Sequence, residues 1–467
     1  MALSRIWSAF IIVAIIVASI KLMSSHSEAT IFSKMVIGKQ GDTSNTKVLD
    51  SMALSPVIIK TIAEKKEYKE GDVKFKKEKN NYISFREQSA DGVIQTCWNA
   101  VEMCLKLIGI LAFFMGLMSI AEKAGGIRLL SKIVGPFFSK LFPEVPKGHP
   151  ATGHMVMNFS ANLLGLDNAA TPFGLKAMES LQELNPNKSV ASNSQIMFLC
   201  LHAAGLSLIP VSVIALRASS NASDPTDIFI PCLIVTFVGT MTAMLIVSFK
   251  QKINIFQPVI LGWILSISAV IALLVWYITT LNSQSIAAFS GTLSSGVILF
   301  IVLAILLGGV YKKIDVFDAF VDGAKGGFET AVKIIPYLVG MLVAISMLRT
   351  SGTFDVVILG IKNFFAFLGA DTRFVEALPT ALIRPLSGGG ARGMMVDTMT
   401  AYGPDSFASR LSGVFQGAAD TTFYVIAVYF GSVSVKNTRY AIGTMLIADL
   451  AGVCTAIGLA YLFFGNS

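Results

Sequence analysis

The sequence predicts an all-α polytopic membrane protein in which one structural unit occurs twice, with opposite orientations. Of the 467 residues, 54% are hydrophobic and 14% are charged, a balance that soluble globular proteins do not need. Some apolar segments are long enough to cross a bilayer, and others have only half that length. Two stretches, 91–126 and 318–353, also look like copies of each other.

Composition and motifs exclude several classes of protein. The formal net charge of +8 fits cytoplasmic loops rich in Lys and Arg, and no basic patch is interleaved with aromatic residues as in nucleic-acid binding. The five Cys lie in apolar segments without ligand spacing, and the four His are scattered, so we predict no disulfide, no metal site and no cofactor. Walker, dinucleotide-binding, HExxH and nucleophile-elbow motifs are absent, which argues against an enzyme.

The N-terminal part combines an apolar run with a long polar segment. Arg5 precedes the apolar run 6–20, and no convincing cleavage site follows, so we predict an uncleaved transmembrane helix over 1–23, with a signal peptide as the alternative. Residues 24–90 are dense in charges of both signs. A sparse apolar alternation over 73–85 indicates at most a small β-hairpin on a solvated loop, and a flexible insertion is the alternative.

Segment lengths predict about nine transmembrane helices and two re-entrant hairpins. A helix needs about 20 apolar residues to cross the hydrocarbon core. The candidate spans are 5–23, 93–121, 195–216, 228–249, 257–279, 288–311, 330–349, 406–431 and 440–464. Two amphipathic pieces, 127–142 and 355–368, are typical of helices that lie on the membrane surface. The half-length pairs that predict hairpins are 151–166 with 169–184, split at 165–168, and 374–386 with 391–400, split at 387–390.

Charge placement gives the two halves opposite orientations. Lysines mark the loops at 250–252 and 312–313 as cytoplasmic, whereas 280–287 carries no charge. The N-terminus is then cytoplasmic, and 24–90 and the C-terminus are extracytoplasmic, so the two hairpins enter from opposite sides, as in an inverted-topology repeat. The predicted domains are a helix at 1–23, the insertion 24–90, a first repeat 91–250, connecting helices 251–317 and a second repeat 318–467.

Sparse identities align the two repeats. In one register Asp91, Glu102, Lys106, Ser119 and Gly125 coincide with Asp318, Glu329, Lys333, Ser346 and Gly352. After shifts, 162–165 lies over 385–388 and 201–204 over 415–418. The pairs Glu102/Lys106 and Glu329/Lys333 are interpreted as ion pairs on a helix face. An internal repeat in a membrane protein is typical of transporters, and chance similarity between apolar helices is the alternative.

Polar residues of the first hairpin are candidate ligand-binding groups. Asn158 and Asn162 share one helical face, and the tip of the hairpin supplies Asp167, Asn168 and Thr171. The half-helix that follows has free N–H groups and a positive dipole end, which favour an anion or a carbonyl-rich ligand. Alternatively, the two asparagines at 158 and 162 only hydrogen-bond neighbouring helices.

The tip of the second hairpin combines small and basic residues. Its candidate binding residues are Arg384, Ser387, Gly388, Gly389, Gly390 and Arg392. Glycines permit positive φ and a close approach of a ligand to the backbone. Arginines at membrane depth are normally paired, and Asp397 and Asp420 are candidate partners. We predict recognition of an anionic or hydrogen-bonding head group, with a structural salt bridge as the alternative.

Four residues of the later helices are candidates for coupling to an ion. Asp420 and Thr421 lie inside an apolar span, His202 lies in the matching helix of the first repeat, and Gln416 is aligned with His202. Asp420 and His202 are candidates to carry a proton, and Asp420 with Thr421 to hold Na⁺. For His202 a packing role is the alternative. We expect Arg384, Arg392 and Asp420 to form one charge cluster, opposite Asn158, Asn162 and Asn168.

Two sets of motifs resemble known families. The run NLLGLDNAATPFGLKAM at 162–178 resembles the spore maturation protein A family, although Asp167 and Asn168 depart slightly from its glycine-asparagine pattern. The runs RPLSGGGARG at 384–393 and GAADTTFY at 417–424 resemble the spore maturation protein B family. The chain looks like a fusion of the two families, joined near 250–290. Both belong to a nucleoside-recognition or gate-domain group, which implies a core like that of concentrative nucleoside transporters in a bacterial-type inner membrane.

The function expected from these features is transport. We predict a permease for a small polar or anionic molecule, with a nucleoside as the first candidate. The alternative is a membrane sensor or scaffold in envelope or spore-type maturation, which the long insertion favours. The expected partners are the lipid bilayer and the small ligand, with no nucleic acid; a homo-oligomer is left open.

Overall fold

The structure is a computed structural model that describes residues 2–24, 30–49, 62, 67–70, 73–78, 81–163, 167–207, 209–281 and 283–465. Within them the membrane part is helical, as the composition predicts. Six helices are long and apolar enough to cross a membrane, and the N-terminal helix α1 (Ala2–Ser24) has a shorter apolar stretch, Trp7–Met23. The chain is therefore a polytopic membrane protein.

The polar insertion contains a short helix and a sheet. After α2 (Ile31–Ile37) come strands β1 (Gly38–Leu49), β2 (Glu67–Glu70), β3 (Val73–Glu78) and β4 (Asn81–Asp91). They pair antiparallel in the order β1-β4-β3-β2. The predicted hairpin corresponds to β3 and β4, but the expectation of nothing larger was wrong. The pairing of β1 with β4 was missed because the polar sequence of β1 shows no apolar alternation.

The first repeat consists of two long helices with shorter pieces between them. The pieces are α3 (Val93–Lys123), α4 (Gly126–Leu141), α5 (Pro150–Leu163), α6 (Asp167–Leu184), α7 (Asn193–Ala204), α8 (Val211–Ser219) and α9 (Phe229–Gln251). The antiparallel pair α5 and α6 is the first hairpin. Two connecting helices follow, α10 (Pro258–Thr279) and α11 (Ser283–Tyr311).

The second repeat has the same order of elements. It contains α12 (Val316–Thr350), α13 (Thr353–Phe367), a 3₁₀ turn (Arg373–Glu376), α14 (Leu378–Ile383), α15 (Gly388–Tyr402), α16 (Phe407–Gly417), α17 (Thr422–Val425) with a π-helical turn (Ile426–Phe430), and α18 (Ala441–Phe464). The pair α14 and α15 is the second hairpin.

The helices that begin the two repeats pack antiparallel. Gly116 of α3 lies against Phe320 of α12, whereas the later Gly327 of α12 lies against the earlier Ala112 of α3. A Cβ on Gly327 would be 2.5 Å from the Ala112 nitrogen, so only glycine permits this approach. Because α3 and α12 are equivalent and run in opposite directions, the repeats are inverted, as predicted.

Equivalent positions in the two repeats share local geometry. Gly125 and Gly352, which the sequence aligns, have left-handed φ values of +83° and +75° and separate each long helix from the amphipathic helix that follows. Ser192 and Ser406 cap α7 and α16, and each hydroxyl accepts the N–H three residues further on at 3.2 Å. Both pairs mark elements that begin in the same way in each repeat.

Two of the predicted spans are discontinuous. The predicted helix 195–216 stops at Ala204 and resumes at Val211, and the residues between are the first break, 205–210. The predicted helix 406–431 is interrupted at 418–421, the second break. Gly205 at φ +47° ends the first helical stretch, and Pro210 supplies no N–H for continuing it. The two breaks occupy equivalent positions in the two repeats.

The outer helices present apolar side chains to their surroundings. On α10, Leu265, Val270 and Leu273 are each more than half exposed, and so is Leu303 on α11. A surface of this kind fits contact with lipid chains. The amphipathic helices α4 and α13 likewise expose apolar residues, including Leu129 and Val356, while Phe138 and Ile358 are buried.

The two ends of the helix bundle are closed by different chemistry. At one end Arg217, whose side chain is fully buried, and Arg410 bind the two carboxylate oxygens of Asp227 at 3.0 and 2.7 Å. At the other end hydrogen bonds to neutral groups take the place of ion pairs: Ala191 N–H donates to Asn437 O at 2.9 Å, and Arg439 Nη1 donates to Ala191 O at 3.1 Å. Both closures join the first repeat to the second.

Candidate functional site

The first hairpin is joined to α7 by hydrogen bonds between amide and imidazole groups. Asn158 is 1% exposed, and its Nδ2 donates to Ala170 O at 2.6 Å, which joins the two arms of the hairpin. Asn158 Oδ1 lies 3.0 Å from His202 Nδ1, and Asn162 Nδ2 lies 2.7 Å from the same nitrogen. One ring nitrogen therefore serves two amides, and its protonation decides whether it donates to Asn158 or accepts from Asn162.

The two breaks are in direct contact. The Asp420 N–H donates to Ala203 O at 2.8 Å, and this oxygen belongs to the last turn of α7, where carbonyls lack helical partners. A Cβ on Gly205 would lie 3.6 Å from Asp420 Oδ2. Asp420 exposes 43% of its side chain although it lies midway along a predicted span. Its carboxylate therefore faces an opening inside the protein.

Arg384 ties the second hairpin to the second break. Its Nη1 donates to Thr421 Oγ1 at 2.9 Å, and its Nη2 donates to Ala419 O. The same Nη2 lies 4.0 Å from Asp420 Oδ1, at the outer limit of an ion pair. The structure thus brings Arg384, Thr421 and Asp420 together. The second hairpin therefore docks on the second break, as the first hairpin docks on the last turns of α7.

The glycines of the second hairpin contribute small size and not positive φ. Gly388, Gly389 and Gly390 form the first turn of α15, and Ser387 caps that turn by accepting the Gly390 N–H at 2.9 Å. None of the three has the positive φ that glycine permits, because α15 begins at Gly388, earlier than the predicted start at 391. A Cβ on Gly388 would lie 2.8 Å from Thr421 Oγ1, so the missing side chain lets the hairpin approach the break.

Arg392 is the second basic residue of this hairpin. It is partly buried, and its Nε is enclosed without a hydrogen-bond partner in the part of the chain that the structure describes. Arg392 lies within electrostatic reach of Asp420. Asp397, a proposed partner, is instead bound by Arg349 of α12, whose Nε lies 2.6 and 2.8 Å from its two oxygens. That expectation was wrong because Asp397 lies more than a turn beyond Arg392 and faces α12.

Tyr429 joins the second repeat to the first hairpin, and it was not predicted from the sequence. Its ring meets the His202 imidazole edge to face, with centroids 4.7 Å apart. A Cβ on Gly174 would lie 2.5 Å from Tyr429 Cε1 and 2.8 Å from Asn158 Nδ2, so the hairpin has no space to spare here. An aromatic residue in an apolar span is too common to have been a signal.

Asp449 on α18 was also missed. Thr422 Oγ1 donates to Asp449 Oδ2 at 2.7 Å. Asp449 and Arg384 line a cavity of about 20 Å³ that also touches Pro385 and Ala419, and this volume admits about one water molecule. The signal was available, because an acidic residue within an apolar span is a functional candidate by default.

The remaining predicted residues lie around this centre. Gln416 is 3% exposed, and its Oε1 is buried without a hydrogen-bond partner among the described residues. Thr171 is partly buried in the first hairpin. The side chains of Asp167 and Asn168 and the residues 164–166 lie outside the described part of the chain. The expected opposition of Asn168 to the charge cluster therefore stays a prediction.

The paired charges on α3 form the expected surface ion pair. Lys106 Nζ lies 3.0 Å from Glu102 Oε1, with both side chains about half exposed or more. For the equivalent pair, the side chain of Lys333 lies outside the described residues. Among the residues described, no group of three or more His, Cys, Asp or Glu side chains is placed to hold a metal ion.

Comparison with known families gives matches in both repeats. A family model described as "Gate: Nucleoside recognition" matches residues 104–220 and 331–436. These ranges contain both hairpins and both breaks. No solved structure matches the chain significantly.

Two curated proteins of Bacillus subtilis (strain 168) are similar to the chain. Spore maturation protein B is 47% identical over 175 residues, which are 38% of this chain and 97% of that protein. Spore maturation protein A is 42% identical over 156 residues, which are 33% of this chain and 80% of that protein. This pattern is consistent with a fusion of the two types of protein in one chain.

Proposed function

The chain belongs to the Gate family of membrane proteins, and from this premise we propose that it binds and translocates a small polar or anionic molecule. The proposed site lies between the two hairpins, where the two breaks touch. Because the family model carries the description nucleoside recognition, nucleosides and nucleotides are the first ligands to test.

The hydrogen bond between the second break and the end of α7, next to the first break, is the observation that carries the proposal. The Asp420 N–H reaches Ala203 O across the repeat boundary, so two interrupted helices of opposite orientation meet at one point. Non-helical backbone at membrane depth persists where it is buried in protein or lines a cavity. In transporters built from inverted repeats, such a meeting point is the place where substrate binds.

The site offers two kinds of recognition. On the side of the second hairpin, Arg392 and the N-terminal turn of α15 present positive charge and N–H groups, which suit a phosphate or another anion. On the side of the first hairpin, Asn162 and His202 present an amide and an imidazole, whose donors and acceptors suit a base or a sugar. A nucleoside or its monophosphate has both kinds of partner group.

Uptake into proteoliposomes tests the proposal. Radiolabelled uridine and uridine 5′-monophosphate are supplied to vesicles that contain the wild type, Arg392→Gln or Arg128→Gln. Arg128 is exposed on α4 and serves as the matched control. We expect uptake of at least one ligand, lowered about tenfold or more by Arg392→Gln, as for the loss of one hydrogen bond to a charged group. Arg128→Gln should transport like the wild type.

A sensor or scaffold is the second candidate function. It is favoured by the four-stranded sheet that precedes the first repeat, because a folded extramembrane unit offers a surface to a partner. The name spore maturation protein, carried by both relatives, also fits a role in assembly. Tight binding of a nucleotide without flux would favour this candidate and contradict transport.

We also propose the sidedness that the lysine-rich loops indicate. The N-terminus lies in the cytoplasm, and the sheet and the C-terminus lie outside. The loops that meet at Asp227 and Arg410 then close the extracytoplasmic end, and those that meet at Ala191 and Asn437 close the cytoplasmic end.

A further inference from the structure

Asp449 places a carboxyl group next to the proposed site, and the proposed ligand recognition does not use this group. Asp449 is the ninth residue of α18, a helix of 24 residues that is apolar enough to span the membrane. At 1.5 Å per residue it lies roughly 12 Å from the start of a helix about 36 Å long. A charge at this depth is costly unless it is paired.

The surroundings of Asp449 leave its charge without an ion-pair partner. In the described part of the chain its side chain has one hydrogen bond, from Thr422 Oγ1 at 2.7 Å, and no basic nitrogen within 4 Å. Arg384 lines the same small cavity but is engaged by Thr421, Ala419 O and Asp420.

Few titratable groups of the packed elements face Asp449. The second hairpin brings Arg384, and the second break brings Asp420. His202 of α7 hydrogen-bonds to the first hairpin, and Arg410 of α16 packs on Phe464 at the far end of α18. The helices α9 and α11, which also pack against α18, carry no acidic or basic side chain at this depth. Among these titratable groups, Arg384 has the strongest electrostatic effect on Asp449.

We propose that Asp449 is the proton-binding residue of the transport cycle, an inference that rests on the proposed function. In the proposed cycle, Asp449 is a neutral carboxylic acid while the anion is bound. A proton from one aqueous phase bonds to a carboxylate oxygen, and the same O–H bond breaks when the proton is released to water on the other side.

Charge balance links this proton to the ligand. Asp420 is taken as a carboxylate because its side chain is 43% exposed and lies 4.0 Å from Arg384 Nη2. With Asp449 neutral, the centre then holds two guanidinium groups, Arg384 and Arg392, and one carboxylate, so it carries an excess positive charge that attracts an anion. With Asp449 ionised, the excess is gone, and the new carboxylate competes with the anion for Arg384. An anionic ligand therefore binds more tightly when Asp449 is protonated, and the two are carried together.

Infrared spectroscopy tests the protonation directly and needs no ligand. The carbonyl stretching band of protonated carboxyl groups is recorded for purified wild type, Asp449→Asn and Asp420→Asn from mildly acidic to mildly alkaline pH. We expect a band in the wild type that is lost in Asp449→Asn and retained in Asp420→Asn. A wild-type band that Asp449→Asn leaves unchanged, or no band at all, overturns the inference.

The coupling is tested with uridine 5′-monophosphate. The affinity is measured against pH for the wild type and for Asp449→Asn. The variant is the control, because its pH dependence reports the titration of the ligand's phosphate without that of Asp449. Above the pH at which the infrared band disappears, the wild-type affinity should fall by up to tenfold per pH unit relative to the variant. Parallel curves overturn the coupling, even if the ligand binds well. If no nucleotide binds at any pH, the proposed ligand class fails, whereas the infrared result still decides the state of Asp449.

Discussion

The two hairpins have equivalent positions and different chemistry. The first meets the end of α7 through amide and imidazole groups, those of Asn158, Asn162 and His202. The second meets its break through Arg384, which binds a hydroxyl and a carbonyl and lies beside Asp420. The backbone plan is therefore shared, from the left-handed glycines to the serine caps, while the side chains at the centre have diverged.

This difference suggests that the two repeats recognise different parts of the ligand. The charged second repeat would attract an anion, and the uncharged first repeat would recognise the remainder of the molecule. A symmetric site would hold two like charges at membrane depth or none, and neither arrangement suits a ligand with one charged end. Substitutions on the two sides should consequently have different effects.

The largest effect is expected for Arg384→Gln. It removes hydrogen bonds between the second hairpin and its break and leaves Asp420 without its nearest cation. We expect a loss of about 3 kcal/mol in stability, measured as thermal unfolding in detergent. Adding Asp420→Asn to Arg384→Gln should restore part of the loss. Strictly additive losses would show that the two residues are not coupled.

Gly174→Ala probes the fit of the first hairpin. The new Cβ would lie 2.5 Å from Tyr429 Cε1, so the hairpin or the tyrosine must move, at a cost of about 1–3 kcal/mol. Gly153 in the same hairpin has no neighbouring atom within 4 Å of the position that a Cβ would take, so Gly153→Ala should be neutral or stabilising. Equal melting temperatures for the two variants would mean that the hairpin is not closed against Tyr429.

His202→Phe keeps an aromatic ring and removes Nδ1, the ring nitrogen within hydrogen-bond distance of both Asn158 and Asn162. Asn158, which is buried, then loses one partner, and we expect a destabilisation of about 1–2 kcal/mol. The contact with Tyr429 should survive, because it depends on the ring. A stability equal to that of the wild type would indicate that His202 only fills space.

Lys106→Ala should have the smallest effect. The ion pair with Glu102 is on the helix surface, with side-chain exposures of 48% and 64%. Such pairs contribute less than about 1 kcal/mol. A larger loss of stability would mean that Lys106 has a second role, such as contact with a lipid head group.

Local signals carried the part of the architecture that could be predicted from sequence. Apolar segments of full and half length located the spans and hairpins because the bilayer fixes the length of a helix that crosses it. Gly125 and Gly352 were aligned from sequence, and both have the left-handed conformation that glycine permits. The starts and ends of short helices were less accurate, as the early beginning of α15 shows.

Contacts between distant parts of the chain could not be predicted. Tyr429 reaches the first hairpin only because the second break turns the chain toward it, and nothing near residue 429 indicates this. The pairing of Arg349 with Asp397 depends on how α12 packs against α15. Asp449 is different, because the rule that singled out Asp420 also applies to it. Asp449, like Asp420, could therefore have been predicted from the sequence.

Sided cysteine labelling tests the central claim, that two inverted repeats meet at one site. The native residues Cys97, Cys104, Cys200, Cys232 and Cys454 are replaced, and single cysteines are placed at Lys147 and Ala370, which are exposed beyond the equivalent helices α4 and α13. A membrane-impermeant thiol reagent should label Ala370→Cys from outside intact cells, and Lys147→Cys only after the membrane is opened. Labelling of both positions from the same side would contradict the inverted arrangement and the site derived from it.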